Sequence, residues 1–206
     1  MAARIITVPN LLTFLRLGLI PVFVTLLFYQ RFGWALAVFV VAGFTDMFDG
    51  LLARRFDQAS QLGRILDPIA DKLLLVTAFV VLSLPSIMAP GAMPEHPRHL
   101  PVPFWVTAVV ISRDVFIVVG AVAINIVTGF RGFRPSWLGK ASTVVQITGV
   151  FLILTAASYP PLRGYLPTVY TTVFAFALFS GVHYIFWVSR LLNEGRQTRE
   201  TPPDRS

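Results

Sequence analysis

Six apolar runs, each about as long as a bilayer-crossing helix, alternate with short segments rich in proline, glycine and charge. They cover 9–29, 33–54, 65–84, 103–127, 139–158 and 166–192. A hydrocarbon core about 30 Å thick takes roughly 20 helical residues. Backbone polar groups in lipid must be satisfied within the spanning segment, which favours helices. A membrane barrel would instead show alternating segments of roughly ten residues. The pattern predicts an all-α integral membrane protein with six transmembrane helices over residues 1–192. The connections SLPSIMAPGAMPEHPRHLPVP, TGFRGFRPSWLGK and SYPPLRGY carry turn chemistry. Residues 193–206, NEGRQTRETPPDRS, read as a polar, disordered C-terminal tail.

Composition agrees with the pattern. The 206 residues are 55% hydrophobic and 13% charged, against about 25% charged in a soluble domain. Mean hydropathy is +0.72, so the chain cannot cover itself with polar surface. The absence of cysteine excludes disulfides, thiolate metal sites and a cysteine nucleophile. The net charge of +7 lies mainly in connecting segments. That favours topology and lipid attraction over nucleic acid, which needs a basic face on a soluble fold. Arg16 interrupts the first apolar run, so the N-terminus does not read as a signal peptide.

With a cytoplasmic N-terminus, the inner segments hold Arg4, Arg54, Arg55, Arg64, Arg131, Arg134, Lys140, Arg190, Arg196, Arg199 and Arg205. The outer segments hold only Arg31, Arg98 and Arg163. The excess of inner positive charge predicts that both termini are cytoplasmic. Trp34, Trp105, Trp137 and Trp187 lie near segment ends, where an aromatic belt would sit.

Half of the ten acidic residues fall in one segment, FTDMFDGLLARRFDQASQLGRILDPIADK. Asp46 and Asp49 are three apart, and Asp67 and Asp71 are four apart, so each pair shares a helix face. Four carboxylates near lipid repel one another and are costly to bury unpaired. Hard divalent ions with oxygen ligands would compensate them. Gly50 and Ala53 leave room beside the first pair, and Arg54 adds a charge suited to phosphate. Simpler readings exist for individual residues. Asp67 before Pro68 also reads as a helix N-cap, Asp46 and Asp49 as partners of arginines, Gly50 and Ala53 as helix packing, and Asp57 as solvated loop.

The string Asp46-x2-Asp49-Gly50-x2-Ala53-Arg54-x8-Gly63-x3-Asp67-x3-Asp71 resembles the signature of the CDP-alcohol phosphatidyltransferases at every fixed position. The resemblance implies an enzyme of phospholipid biosynthesis that uses CDP-diacylglycerol and releases CMP. It implies that Asp46, Asp49, Asp67 and Asp71 hold two divalent cations, Mg²⁺ or Mn²⁺. It further implies that Gly50, Ala53 and Arg54 contact the cytidine diphosphate, with Gly63 a further fixed position of the same signature. Asp71 would take the acceptor's proton. The opening VPNLLTFLRLGLIPVF resembles the phosphatidylglycerophosphate synthase and cardiolipin synthase branch. Asn10, Thr13 and Arg16 share a face there, with a capped helix and a snorkelling arginine as the alternative. LDPIADK is also typical of that branch, and Lys72 would assist phosphate binding.

Arg113 and Asp114 lie within an apolar run, which marks a functional residue or an internal ion pair. Arg16, Arg113 and Lys140 are candidates for an acceptor phosphate, with interface anchoring as the other reading of Lys140. Gln146 is a candidate to face the same pocket. The expected acceptor is glycerol 3-phosphate, with phosphatidylglycerol as the alternative. The residue after Arg113, an aspartate where many phosphatidylglycerophosphate synthases carry glutamate, leans toward the second. Non-enzyme alternatives are a cation transporter or a lipid-binding membrane protein. His96, His99 and His183 read as surface, core or interfacial residues. The resemblance also implies a homodimer, for which Gly120, Ala121 and Ala123 offer small residues, and a bacterial inner membrane with the active site facing the cytoplasm.

Overall fold

The computed structural model describes residues 8–56, 63–88, 100–128 and 137–200. Side chains are described within these ranges except at 8–10, 46–56, 63–68, 86, 88, 121–128, 187–188 and 190–200. The described residues form helices and short connections, with no strand. The long helices are α1 (Val8–Phe28), α2 (Phe32–Phe56), α3 (Gly63–Leu82), α5 (Phe104–Thr128), α6 (Trp137–Ser158) and α7 (Leu166–Glu200). A single-turn helix, α4 (Pro85–Met88), follows α3, and a 3₁₀ segment at Pro160–Tyr165 leads into α7. Among the described residues, three stretches are long and apolar enough to cross a bilayer: Leu11–Phe28, Trp137–Ser158 and Pro160–Phe186. Phe32–Thr45 is a shorter apolar helix. These apolar helices make the chain a membrane protein.

Two boundaries differ from the sequence expectation. The helix α7 runs on to Glu200, well into the stretch expected to be a disordered tail. Leu, Glu, Arg and Gln there are good helix formers, and the first proline comes only at Pro202. At 35 residues α7 is about 50 Å long, well beyond a hydrocarbon core. The other difference concerns Asp67. The helix α3 begins at Gly63, so Asp67 lies inside it and does not cap it.

Each long helix buries one stripe. In α1 the buried positions are Thr13, Arg16, Ile20, Phe23 and Leu27, at alternating spacings of three and four. In α7 they are Leu166, Tyr170, Val173, Ala177, Ser180 and Tyr184. The opposite faces expose large apolar side chains such as Leu11, Phe14, Phe116 and Phe186. Polar groups inside and apolar groups outside are what a lipid solvent selects. Trp34 and Trp137 are exposed, at 70% and 79%, as interfacial tryptophans require.

Each stripe is apolar at one end of the bundle and polar at the other. Phe23, Phe39, Leu74, Ala78, Phe79, Val106, Ile153 and Tyr170 belong to one contiguous core. Two glycines set the helix spacing. A Cβ on Gly149 would stand 2.7 Å from Val173 Cγ2, so α6 and α7 meet closely there. A Cβ on Gly120 would stand 2.7 Å from the Tyr184 ring. Gly120 therefore packs closely against α7 of its own chain. The side chains of Ala121 and Ala123 lie outside the described residues.

The turn after α1 explains its sharp end. Gln30 has φ 55°. The Arg31 N–H donates to Leu26 O at 2.8 Å and the Gln30 N–H to Leu27 O at 3.0 Å. This Schellman closure satisfies two otherwise orphaned carbonyls.

Candidate active site: a charged interior at one end of the bundle

The polar ends of the stripes converge on α3. Asp71 and Lys72 are consecutive there, so their side chains diverge by about 100° around the helix. Arg16 of α1 donates through Nη1 to Asp71 Oδ1 at 2.5 Å. Lys72 Nζ donates to Asp114 Oδ1 of α5 at 2.7 Å. The same oxygen accepts from Arg113 Nη1 at 2.6 Å. Arg113 continues the network, with Nε and Nη2 donating to Ser180 Oγ of α7 at 3.2 and 3.0 Å. Its Nη2 also donates to Gly139 O, in the first turn of α6, at 2.9 Å.

Burial divides these charges into two kinds. Arg16, Arg113 and Asp114 are enclosed, at 0%, 4% and 6% exposure. Such charges are tolerated inside a membrane protein only when paired. The Asp71 and Lys72 side chains are 39% and 36% exposed, so both can meet a ligand. Asp71 also lines a cleft of about 430 Å³ between α2, α3 and α6. Its other walls are mainly apolar, including Phe39, Gly43, Leu75 and Ile147, with Thr143 and Thr148 on the α6 side. An acid in the wall of a mainly apolar cleft suits a substrate with a charged head and a hydrocarbon body.

Of the sequence candidates, the structure brings Arg16 to Asp71 and Lys72, Arg113 and Asp114 to one another. Thr13 is fully buried one turn before Arg16. Lys140 is exposed on the first turn of α6, beside the carbonyl that anchors Arg113. Gln146 is completely buried, and among the described residues neither amide atom has a hydrogen-bond partner; the same holds for Ser142 Oγ one turn earlier. His183 is an exposed residue of α7.

The side chains of Asn10, Asp46, Asp49, Gly50, Ala53, Arg54, Gly63 and Asp67 lie outside the described residues, as do Asp57, His96 and His99. The backbone is helical at 46–54 and 63–71, so the three- and four-residue spacings of the aspartates fall on helix faces. Among the described residues no group of three or more metal-ligating side chains occurs. Asp71 contributes an oxygen donor that is partly open, and the chain offers no thiolate. That chemistry fits a hard divalent ion better than zinc.

Sequence reasoning missed two partnerships, Arg16 with Asp71 and Lys72 with Asp114. A signal for both existed. Each charge stands in an apolar run, so each needs a counter-charge from a neighbouring helix. Nothing in the spacing said which neighbour. Ser180 carried no signal, because a serine in an apolar helix usually bonds its own backbone.

Comparison with known proteins decides the class. The family model described as CDP-alcohol phosphatidyltransferase matches residues 6–188. The chain belongs to this family. It is 34% identical over 209 residues to a probable phosphatidylglycerophosphate synthase of Mycobacterium tuberculosis, covering 95% of this chain and 88% of the relative. It is 32% identical over 204 residues to a cardiolipin synthase (CMP-forming) of Streptomyces coelicolor, covering 92% and 86%. A human cardiolipin synthase (CMP-forming) is 33% identical over 184 residues, covering 81% of this chain and 55% of the relative. The chain is therefore a transferase of CDP-alcohol phosphatidyltransferase type that acts in phospholipid biosynthesis. The transporter and lipid-binding alternatives are not favoured.

Proposed function

We propose that the enzyme transfers the phosphatidyl group of CDP-diacylglycerol to glycerol 3-phosphate, giving phosphatidylglycerophosphate and CMP. The observation that carries the reading is the half-exposed Asp71 carboxylate at an apolar cleft, within a matched family domain. The acceptor's primary hydroxyl oxygen attacks the phosphatidyl phosphorus. The P–O bond to CMP breaks, and its electron pair leaves on CMP. Asp71 accepts the hydroxyl proton. Two divalent cations, Mg²⁺ or Mn²⁺, held by Asp46, Asp49, Asp67 and Asp71, would neutralise the diphosphate and the departing CMP. Asn10, Thr13, Gly50, Ala53, Arg54, Gly63 and Lys72 bind the CDP moiety. Lys140, exposed on α6, offers positive charge to the acceptor phosphate, while Arg113, the other candidate, is enclosed and paired with Asp114 and supports that end of the site from within. The diacylglycerol chains lie along the apolar cleft.

The same proposal includes six membrane spans, cytoplasmic termini and a bacterial inner membrane with the site facing the cytoplasm. The inner excess of basic residues supports that orientation. A homodimer rests on the family resemblance alone, and crosslinking in the native membrane tests it.

A second acceptor is favoured by Asp114 following Arg113 and by relatives named cardiolipin synthase. In that reading phosphatidylglycerol replaces glycerol 3-phosphate. Purified protein with CDP-diacylglycerol and Mg²⁺ is assayed for CMP with each acceptor, and the lipid product is identified by mass spectrometry. CMP with glycerol 3-phosphate is expected. CMP with phosphatidylglycerol alone installs the second reading, and none with either overturns the donor assignment. Chelator and Asp71→Asn each abolish release, with the variant's thermal unfolding showing that it is folded.

A further inference from the structure

We infer that Arg16 is a positioning residue. Its guanidinium is the standing counter-charge that aims the Asp71 carboxylate before cation or substrate arrives. The inference rests on the proposed role of Asp71 and gives Arg16 a place other than the acceptor phosphate.

Three observations carry it. Arg16 is 0% exposed inside the stretch Leu11–Phe28, whose mean hydropathy is 2.2. It is the sole charged residue of that stretch, so its charge must be met from another helix. The structure meets it with Asp71 Oδ1, while Asp71 stays 39% open to the cleft. A phosphate would have to reach a fully enclosed guanidinium and share it with a carboxylate already in contact. Lys140, exposed on α6, faces no such barrier.

The next residue of α3 completes the argument. Lys72 is held by Asp114 of α5. Consecutive residues of α3 are thus tied to two different helices by charges of opposite sign. The buried face of α3, with Leu74, Ala78 and Phe79, sets its rotation in the apolar half, and the two ties act at its polar end. Two ties about 100° apart hold that end in register, and with it the direction of Asp71. A carboxylate that must take a proton from a bound alcohol needs placement within about 0.5 Å.

The test is a thermal double-mutant cycle in detergent with chelator present, using wild type, Arg16→Met, Asp71→Asn and the double variant. Arg16→Met lowers Tm by about 5 °C or more, because it removes an enclosed charge that pairs with Asp71 across two helices. The double variant loses clearly less than the sum of the single losses. Saturating Mg²⁺ recovers part of the Arg16→Met loss. Arg16→Lys keeps a charge in place and is milder in both Tm and activity.

In turnover, Arg16→Met and Arg16→Lys reduce kcat tenfold or more and about threefold respectively, and acceptor KM stays within about twofold. Two results overturn the inference: single-variant losses that simply add, or a tenfold rise in acceptor KM with Tm and kcat unchanged. If Arg16→Met does not fold, the cycle is run with Arg16→Lys against Asp71→Asn, and additivity again overturns it. The thermal cycle needs no turnover, so failure of the proposed acceptor leaves it intact.

Discussion

Asp114→Asn is the sharpest probe of the charged interior, because one oxygen of that carboxylate serves two cations. The substitution keeps the shape and an acceptor oxygen but removes the charge. Arg113, at 4% side-chain exposure, then becomes an enclosed cation without a counter-ion. Breaking a buried pair by removing one partner costs about 3–5 kcal/mol. Arg113 keeps its hydrogen bonds to Ser180 Oγ and Gly139 O, which places the loss near the lower end. The Lys72 bond adds about 1 kcal/mol or less, discounted because that side chain is 36% exposed and screened. The expected loss is thus about 3–4 kcal/mol. For a chain of this size each kcal/mol moves Tm by about 2–4 °C, so Tm falls by about 6–16 °C. Thermal unfolding in detergent, followed by intrinsic fluorescence, measures it. Lys72→Met serves as the control and falls by about 2–4 °C at most. A fall under about 2 °C for Asp114→Asn, or a larger fall for Lys72→Met, would refute the reasoning.

Two further substitutions test the packing and the cleft. Gly149→Ala drives a Cβ to 2.7 Å from the buried Val173, so α6 and α7 must part. A loss of about 1–3 kcal/mol is expected in thermal unfolding, and an unchanged Tm would show that the helices pack elsewhere. Gly43 lines the cleft beside Asp71, with nothing within 4 Å of its Cβ position. Gly43→Phe therefore keeps Tm within about 2 °C and raises the KM for CDP-diacylglycerol, while the KM for the acceptor holds. An unchanged donor KM would remove the acyl chains from this cleft.

The helices were legible because lipid imposes one rule on every span, and apolar length reports it directly. The predicted run 139–158 and the observed Trp137–Ser158 differ only at the first turn. The end of α7 was not legible, because a polar, charged segment reads alike whether it is a projecting helix or a tail. Asp67 shows the reverse difficulty. A residue before proline satisfies the local rule for a cap, yet α3 starts at Gly63. The family signature identified the chemistry, while Arg16 and Lys72 found their partners only through the fold. Sequence spacing states which residues share a face of one helix. It is silent on which face of another helix looks back.

That silence matters most where charge is buried. An apolar stripe such as Ile20, Phe23 and Leu27 accepts any apolar neighbour of suitable volume. Arg16, on the same stripe, needs an acceptor within hydrogen-bond reach, and Asp71 supplies a charged one. The polar end of the bundle is therefore the more specific end, although its ion pairs add little net stability over a hydrophobic packing. Gln146 presses the point. Its amide is fully enclosed with neither end bonded among the described residues, a cost that a leucine of similar size would avoid. A chain that spends so much polar chemistry inside lipid at one end, and packs Phe23, Phe79 and Ile153 tightly at the other, trades stability for placement. The placed object is Asp71, held by α1 through its own carboxylate and by α5 through the next residue.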